Sequence, residues 1–226
     1  MSSKESIIIS LGGSLVAPSE LDVVFLKVFR TVVKKYLQKY CFFIFVGGGK
    51  ICRNYQKALS EFGADNNERD IIGIDVSRLN ARVTKELFGE LAFSEIVTNP
   101  TKRIITRKDI VIAGGWKPGW STDYCAVTLA KNMGIKTIIN LTNIDYVYDK
   151  DPKKFKNAKA FKEIGWKDFR KIVGNKWSPG LSTPFDPRAS KDAEVLKITV
   201  AMINGKKLDR LENFLNNKEF IGTIIK

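Results

Sequence analysis

Apolar residues fall in short runs that stop at glycine, and these alternate with stretches of helical period. Ile7-Ile8-Ile9-Ser10-Leu11 has strand length and ends at Gly12-Gly13-Ser14. Val24, Leu26, Phe29, Val33, Tyr36 and Leu37 then share one helical stripe. Residues 41–46 are apolar throughout and end at Gly47-Gly48-Gly49, and residues 51–62 read as helix. Asp70 precedes another helix that runs to about Leu87. Residues 109–113 predict a third strand, closed by Gly114-Gly115. A helix over 122–133 follows, with Gly134 as its C-cap. Residues 136–141 and 198–203 predict two further strands.

Near-continuous apolar strands alternating with helices predict an α/β fold whose mostly parallel open sheet is covered on both faces. Between residues 145 and 162 the pattern changes to Tyr, Asp, Lys and Pro, which reads as a hairpin or long loop inside the fold. The stretch 174–187 carries three prolines and two glycines and reads as a surface loop. No internal repeat or low-complexity segment interrupts the pattern. The 226 residues suit one large α/β domain or two small ones, with a core that needs no disulfide or metal. No apolar run approaches the roughly 18 residues of a membrane span. The polar start of the chain lacks a signal-peptide core, so a cytoplasmic location is expected.

Composition narrows the chemistry mainly by what is missing. The chain has no histidine. That excludes Ser-His-Asp and Cys-His catalysis, histidine zinc sites and histidine acid–base mechanisms. Cys41, Cys52 and Cys125 are widely spaced and form no CxxC pair, so they read as free thiols in a reducing compartment. The net charge of +14 attracts anions, among them nucleic acid, anionic membrane and phosphorylated small molecules. Because the lysines are scattered, a merely solvated basic surface fits equally well.

The glycine turns carry the functional signal. In an open α/β sheet, ligands bind outside the carboxyl ends of the strands. Glycine there lets backbone amides approach a phosphate. A single Gly-Gly after a strand reads as no more than a tight turn. Three in one chain point to a site that holds several phosphates. None is a standard nucleotide motif. Gly49-Lys50 is followed by Ile51, so it is not a Walker A loop, and no GxGxxG opens a helix. Arg53 lies one helical turn past Gly49 and reads either as a phosphate ligand or as a surface arginine. Ser121-Thr122-Asp123 reads as a helix cap, which does not exclude substrate contact. Thr142 and Asn143 follow a strand. Asp186 and Lys191 flank a helix start, where Lys191 is either a site cation or a solvated lysine.

Several segments together resemble the amino acid kinase family. They are Gly12-Gly13-Ser14, Gly47-Gly48-Gly49-Lys50, the Ile-Gly-Ile-Asp-Val-Ser-Arg-Leu-Asn-Ala stretch from Ile72, and Gly114-Gly115-Trp116 through Asp123. The Leu141-Thr-Asn-Ile-Asp-Tyr-Val-Tyr-Asp-Lys-Asp151-Pro element, Phe185 to Lys191, and Gly222-Thr-Ile-Ile agree. The Ile-Gly-Ile and Ser-Arg-Leu-Asn-Ala segments point to the archaeal-type uridylate kinase branch. The resemblance spans residues 7 to 225. It implies one three-layer αβα domain over 1–226, with the acceptor on the half at about 1–135 and ATP on the half at about 136–226. It implies ATP with Mg²⁺, UMP as acceptor, and a homo-oligomer, commonly a hexamer. By the same resemblance, Gly13, Ser14, Gly49, Arg53, Thr142, Tyr148 and Asp151 serve ATP. Gly48, Asp70 and residues Trp116, Lys117, Pro118, Gly119, Trp120, Ser121 and Thr122 serve UMP. Gly13, Lys191, Asp123 and Asp186 surround the transferring phosphate, with no metal ligated directly by the protein. Phosphoryl transfer needs positioning and charge neutralisation, so the missing histidine is no handicap.

Four positions depart from the family pattern. Ser10 stands where many members carry a lysine, so the cation must come from elsewhere, with Lys191, Lys50 and Lys117 as substitutes. Tyr146 replaces a glycine, which either reshapes the hairpin or brings a ring to the nucleotide. Trp116 and Trp120 add aromatic bulk that could stack on the base or narrow its pocket. Two alternatives stay open. One is a sister small-molecule phosphate kinase of this fold. The other is a low-activity nucleotide- or RNA-binding regulator, whose binding would weaken steeply with salt.

Overall fold

Each long apolar run becomes a strand because both of its faces meet a helical layer. The computed structural model describes residues 4–176 and 183–226. The chain begins with β1 (Glu5–Leu11), the single turn α1 (Gly13–Val16), α2 (Val23–Lys35), β2 (Tyr40–Val46), α3 (Gly49–Glu61) and α4 (Asn66–Phe88). Then come β3 (Ile110–Ala113), α5 (Thr122–Met133), β4 (Thr137–Thr142), and three short strands, β5 (Val147–Tyr148), β6 (Ala160–Phe161) and β7 (Glu163–Ile164). The chain finishes with α6 (Trp166–Val173), α7 (Pro187–Val195), β8 (Thr199–Asn204), α8 (Leu208–Leu215) and β9 (Gly222–Ile225).

Seven strands form one sheet in the order β3-β2-β1-β4-β8-β9-β7. Every neighbouring pair is parallel except β8 with β9. β5 and β6 pair as a separate antiparallel hairpin, as the change of pattern at 145–162 predicts. The two-residue alternation of the strands divides the core. Ile7, Ile9 and Leu11 join Phe29 and Val33 of α2, Phe88 of α4 and Leu211 of α8. Ile8 faces the opposite way, toward Leu129 of α5, Phe169 of α6 and Ala193 of α7. The result is the three-layer αβα sandwich. Ser10 has the same parity as Ile8 and is buried on the α5 side, in register with Phe45 of β2 and Asn140 of β4.

Four expectations need correction. Val24 is 76% exposed, because at 100° per residue it lies opposite the Leu26–Phe29–Val33 stripe. The helix assigned to begin after Asp70 begins at Asn66, where the Asp65 side chain accepts from the Glu68 amide. Asp70 therefore sits inside α4. The stretch 174–187 is not all surface. Phe185 is fully buried beside Trp166, and Asp186 is buried too; residues 177–182 of that stretch lie outside the described residues. Finally α6, α8, β7 and β9 complete the sheet and its cover without having been anticipated. The strands among them are only two to four residues long.

Candidate active site

β3, β2 and β1 are neighbours, so their three glycine turns converge at one end of the sheet. The contacts there leave no room for side chains. A Cβ on Gly13 would fall on the Gly49 amide nitrogen and 2.5 Å from the Gly47 carbonyl carbon. Gly49 has φ +74°, and a Cβ there would strike the Gly13 carbonyl. A Cβ on Gly48 would lie 2.6 Å from that of Cys52. Backbone thus meets backbone across the two turns. The first turns of α1 and α3 lie in the same region, where the Leu15 amide donates to the Gly12 carbonyl and the Lys50 amide to that of Ala17. A cleft of about 260 Å³ opens beside them. Gly13, Gly48, Gly49, Arg53, Asp70, Trp120, Ser121, Thr122 and Asp123 all line it. Among the described residues that line it, Arg53 is the one cationic side chain.

Polar side chains of α4 hold the turns in place. Ser77 Oγ donates to the Val46 carbonyl at 2.7 Å and accepts from the Gly115 amide at 2.9 Å, joining the ends of β2 and β3. Asn80 Nδ2 donates to the Gly47 and Gly48 carbonyls at 2.9 and 3.2 Å. Arg78 donates to the carbonyls of Gly115 and Trp116. Gln56, Gly73, Ile74 and Ser77 also line the cleft, and sequence reasoning missed them. One signal was available. Ser77 and Asn80 are three apart on a helix, so two polar residues share a face that also carries the buried Ala81 and Thr84. Buried polar groups of that kind have partners to hold.

Asp123 lies on the floor of the cleft, and the buried Asp186 stands behind it. Asp186 caps α7, accepting from the amides of Arg188 at 2.6 Å and Ala189 at 3.0 Å, and from Ser121 Oγ at 2.5 Å. Asp123 accepts from Ser10 Oγ at 2.8 Å and from the Asp186 amide at 3.3 Å. Burial pushes the Asp123 carboxyl up to about 7; the Asp186 charge adds to the rise, and the Ser10 hydrogen bond opposes it. Ser10 therefore puts a hydroxyl, not a cation, on this carboxylate. Burial also raises the Asp70 carboxyl, against the pull of the Gly119 amide and of Arg188. Among the described residues no three Cys, Asp or Glu side chains gather into a metal-binding group.

The segment 116–122 splits into a lining part and a backing part. Trp120, Ser121 and Thr122 face the cleft. Trp116 packs against the core on the α5 side and lies edge-on to Trp120, with ring centroids 4.6 Å apart. Lys117 Nζ stands over both rings, at 4.2 and 5.2 Å. Pro118 and Gly119 lie outside the lining. Ser121 caps α5, accepting from the Tyr124 amide at 3.1 Å.

Other candidate residues are not brought into this cleft. Ser14 borders a second cavity of about 490 Å³, beside Lys206. Thr142 ends β4, next to Gly12. Tyr148 is on the β5–β6 hairpin and meets Tyr146 edge-on at 6.5 Å. Asp151 is exposed in the hairpin loop, where it accepts from the Lys153 amide. Lys191 and Lys50 are exposed on α7 and α3. Tyr146 does not adopt a left-handed φ, so the replacement of glycine carries no backbone strain. Its ring lines a separate small cavity with Arg210 and Phe220.

A polar cleft lined by carboxylates, walled by glycine turns and set at the carboxyl ends of a parallel sheet defines a phosphate-handling α/β protein. The amino acid kinase family model matches residues 5–204, and the chain belongs to that family. A uridylate kinase of Methanospirillum hungatei is 33% identical over 97% of this chain and 94% of its own length. One from Pyrococcus abyssi is 33% identical over 94% of this chain and 96% of its own. The crystal structure of a uridylate kinase from Archaeoglobus fulgidus has the same fold, with a TM-score of 0.80 and 28% identity. It covers 97% of this chain and 99% of that one.

Proposed function

We propose that the chain is an ATP-dependent UMP kinase that transfers the γ-phosphoryl group of ATP to UMP, giving UDP for pyrimidine nucleotide synthesis. The observation that carries this reading is the meeting of Gly13 with Gly47 and Gly49 beside a cleft that also holds Asp70, Arg53 and Trp120. Backbone amides at such a junction can surround a phosphate passing between two nucleotides. Asp70 accepts from the ribose hydroxyls of UMP, the base lies against Trp120 and Thr122, and Gly48 borders the acceptor. Gly13, Ser14, Gly49 and Arg53 contact the ATP phosphates. Thr142, Tyr148 and Asp151 are the adenosine side, on the half formed by residues 136–226. Lys191 reaches the transferred phosphate by turning inward from α7.

Mg²⁺ fits this site as a companion of ATP, because the carboxylates of Asp70, Asp123 and Asp186 are already hydrogen-bonded to the protein. When bound, it neutralises phosphate charge. Asp123, on the cleft floor, is the side chain that would face its water shell. Asp123 and Asp186 orient the groups around the reacting phosphate, and neither acts as a nucleophile. A homo-oligomer, commonly a hexamer, and a cytoplasmic location belong to the same reading. Among the described residues no helix is long and apolar enough to cross a membrane.

ADP release by the purified chain with ATP and Mg²⁺ tests the proposal. UMP, CMP, dUMP and isopentenyl phosphate are offered in parallel. Turnover with UMP far above the others is expected. Turnover only with isopentenyl phosphate would move the assignment to a sister kinase. No turnover with any acceptor, from protein that still binds nucleotide, would overturn the enzyme reading.

A further inference from the structure

One residue of the segment 116–122 is gripped from two helices at once, through the peptide units on either side of it. The Gly119 amide donates to Asp70 Oδ2 of α4 at 2.6 Å. The Gly119 carbonyl accepts from the Arg188 guanidinium of α7. Gly119 itself has φ +82°. The same guanidinium lies over the Tyr124 ring at 4.9 Å, and that ring packs on Trp120 at 4.4 Å. It also stands 3.8 Å from the buried carboxylate of Asp186, which takes the Ser121 hydroxyl. Directly or through one neighbour, Arg188 therefore touches Gly119, Trp120 and Ser121, and the last two line the cleft.

We propose that Arg188 is a positioning residue for the acceptor nucleotide, pinning residues 119–121 so that Trp120 and Asp70 form a pocket wall before the acceptor arrives. The proposal rests on reading the cleft as the UMP site. A planar guanidinium can bond a carbonyl and face a carboxylate while its flat side covers a ring, which a lysine ammonium cannot do at once. A loop ordered in advance spares the ligand the entropy of ordering it. Loss of Arg188 should then weaken the acceptor and leave ATP untouched.

The test compares wild type with Arg188→Ala and Arg188→Lys in two measurements. The first is hydrogen–deuterium exchange over residues 116–121 without nucleotide. The second is the pair of KM values for UMP and ATP. Exchange should be slow in wild type and faster in both variants. Arg188→Ala should raise KM for UMP about tenfold, as loss of a charge-assisted hydrogen bond does. Arg188→Lys should raise it less, and KM for ATP should stay within about twofold. Gly119→Ala provides a second route. Its methyl meets no atom within 4 Å, but its φ of +82° is strained for alanine. It should reproduce the selective rise with Arg188 intact. Unchanged exchange in Arg188→Ala, or an equal rise in both KM values, would overturn the clamp. Exchange is read without substrate, so a wild type that ignores UMP refutes the UMP assignment. A wild-type loop that already exchanges fast refutes the clamp.

Discussion

Asp123 is the residue whose surroundings most alter its chemistry. The unfolded chain releases its proton near 3.8, whereas the folded chain holds it to about 7. Between those values the folded state binds more protons than the unfolded one. The site therefore favours the fold fully below about pH 4, and its contribution is lost as pH rises through about 7. Asp123→Asn keeps a neutral side chain that can still meet Ser10 and the Asp186 amide once the amide group turns. Its thermal stability relative to wild type should improve as pH rises from about 5 to 8. The gain should be on the order of 2 kcal/mol, reduced from the full shift because the carboxylate reaches solvent through the cleft. A difference that stays flat across that range would mean the carboxylate is ionised throughout. Ser10 belongs to the same account. It is buried among apolar strand residues, and the Asp123 carboxylate satisfies its hydroxyl.

Among the elements, α7 is the clearest case of local chemistry dictating structure. Asp186 supplies the N-cap and Pro187 occupies the first turn, where its missing amide proton costs nothing. Asp186 also accepts from Ser121, the cap of α5, so one buried side chain holds the starts of two helices. Asp186→Ala should destabilise the chain by about 3 kcal/mol, more than an ordinary lost cap, because Ser121 loses its acceptor as well. Urea unfolding measures this, and a loss no greater than that of Ser121→Ala would argue against the shared cap. Such caps were partly legible. Ser121 and Gly134 bound α5 as the sequence implies, because capping acts within a few residues. Asp65 as the start of α4 was hidden by the apolar run Ile71-Ile72, which drew the boundary toward Asp70. The glycine turns were legible because backbone approach admits no other residue. Ser77, Arg78 and Asn80 as their ties were not, since their partners lie more than thirty residues away. The same holds for Arg188, whose bond to Gly119 spans 69 positions.

At the scale of the molecule, the chain carries a net charge of +14, and both substrates of the proposed reaction are anions. Lys150, Lys153, Lys154, Lys156 and Lys159 gather on the loop of the β5–β6 hairpin. Long-range attraction of this kind speeds encounter and is screened by salt, whereas contacts inside the cleft are screened less. Raising salt from about 0.05 to 0.3 M should lower kcat/KM for both nucleotides severalfold, with kcat nearly constant. Steady-state kinetics at several ionic strengths read this, and an unchanged kcat/KM would mean that the lysines only keep the surface solvated.

The place of β1 in the sheet also has a consequence for how the chain is made. It precedes the other strands of the sheet in chain order and is flanked in the finished sheet by β2 and β4. β2 follows closely, but the second edge stays open until residues 137–142 have been synthesised. At about 5–20 residues per second that is an interval on the order of ten seconds. Throughout it, Ile7-Ile8-Ile9 is an apolar strand with an unsatisfied edge, the kind of template that pairs with other chains. Birth of this protein should therefore depend on chaperone cover of its first half, whatever the stability of the completed fold.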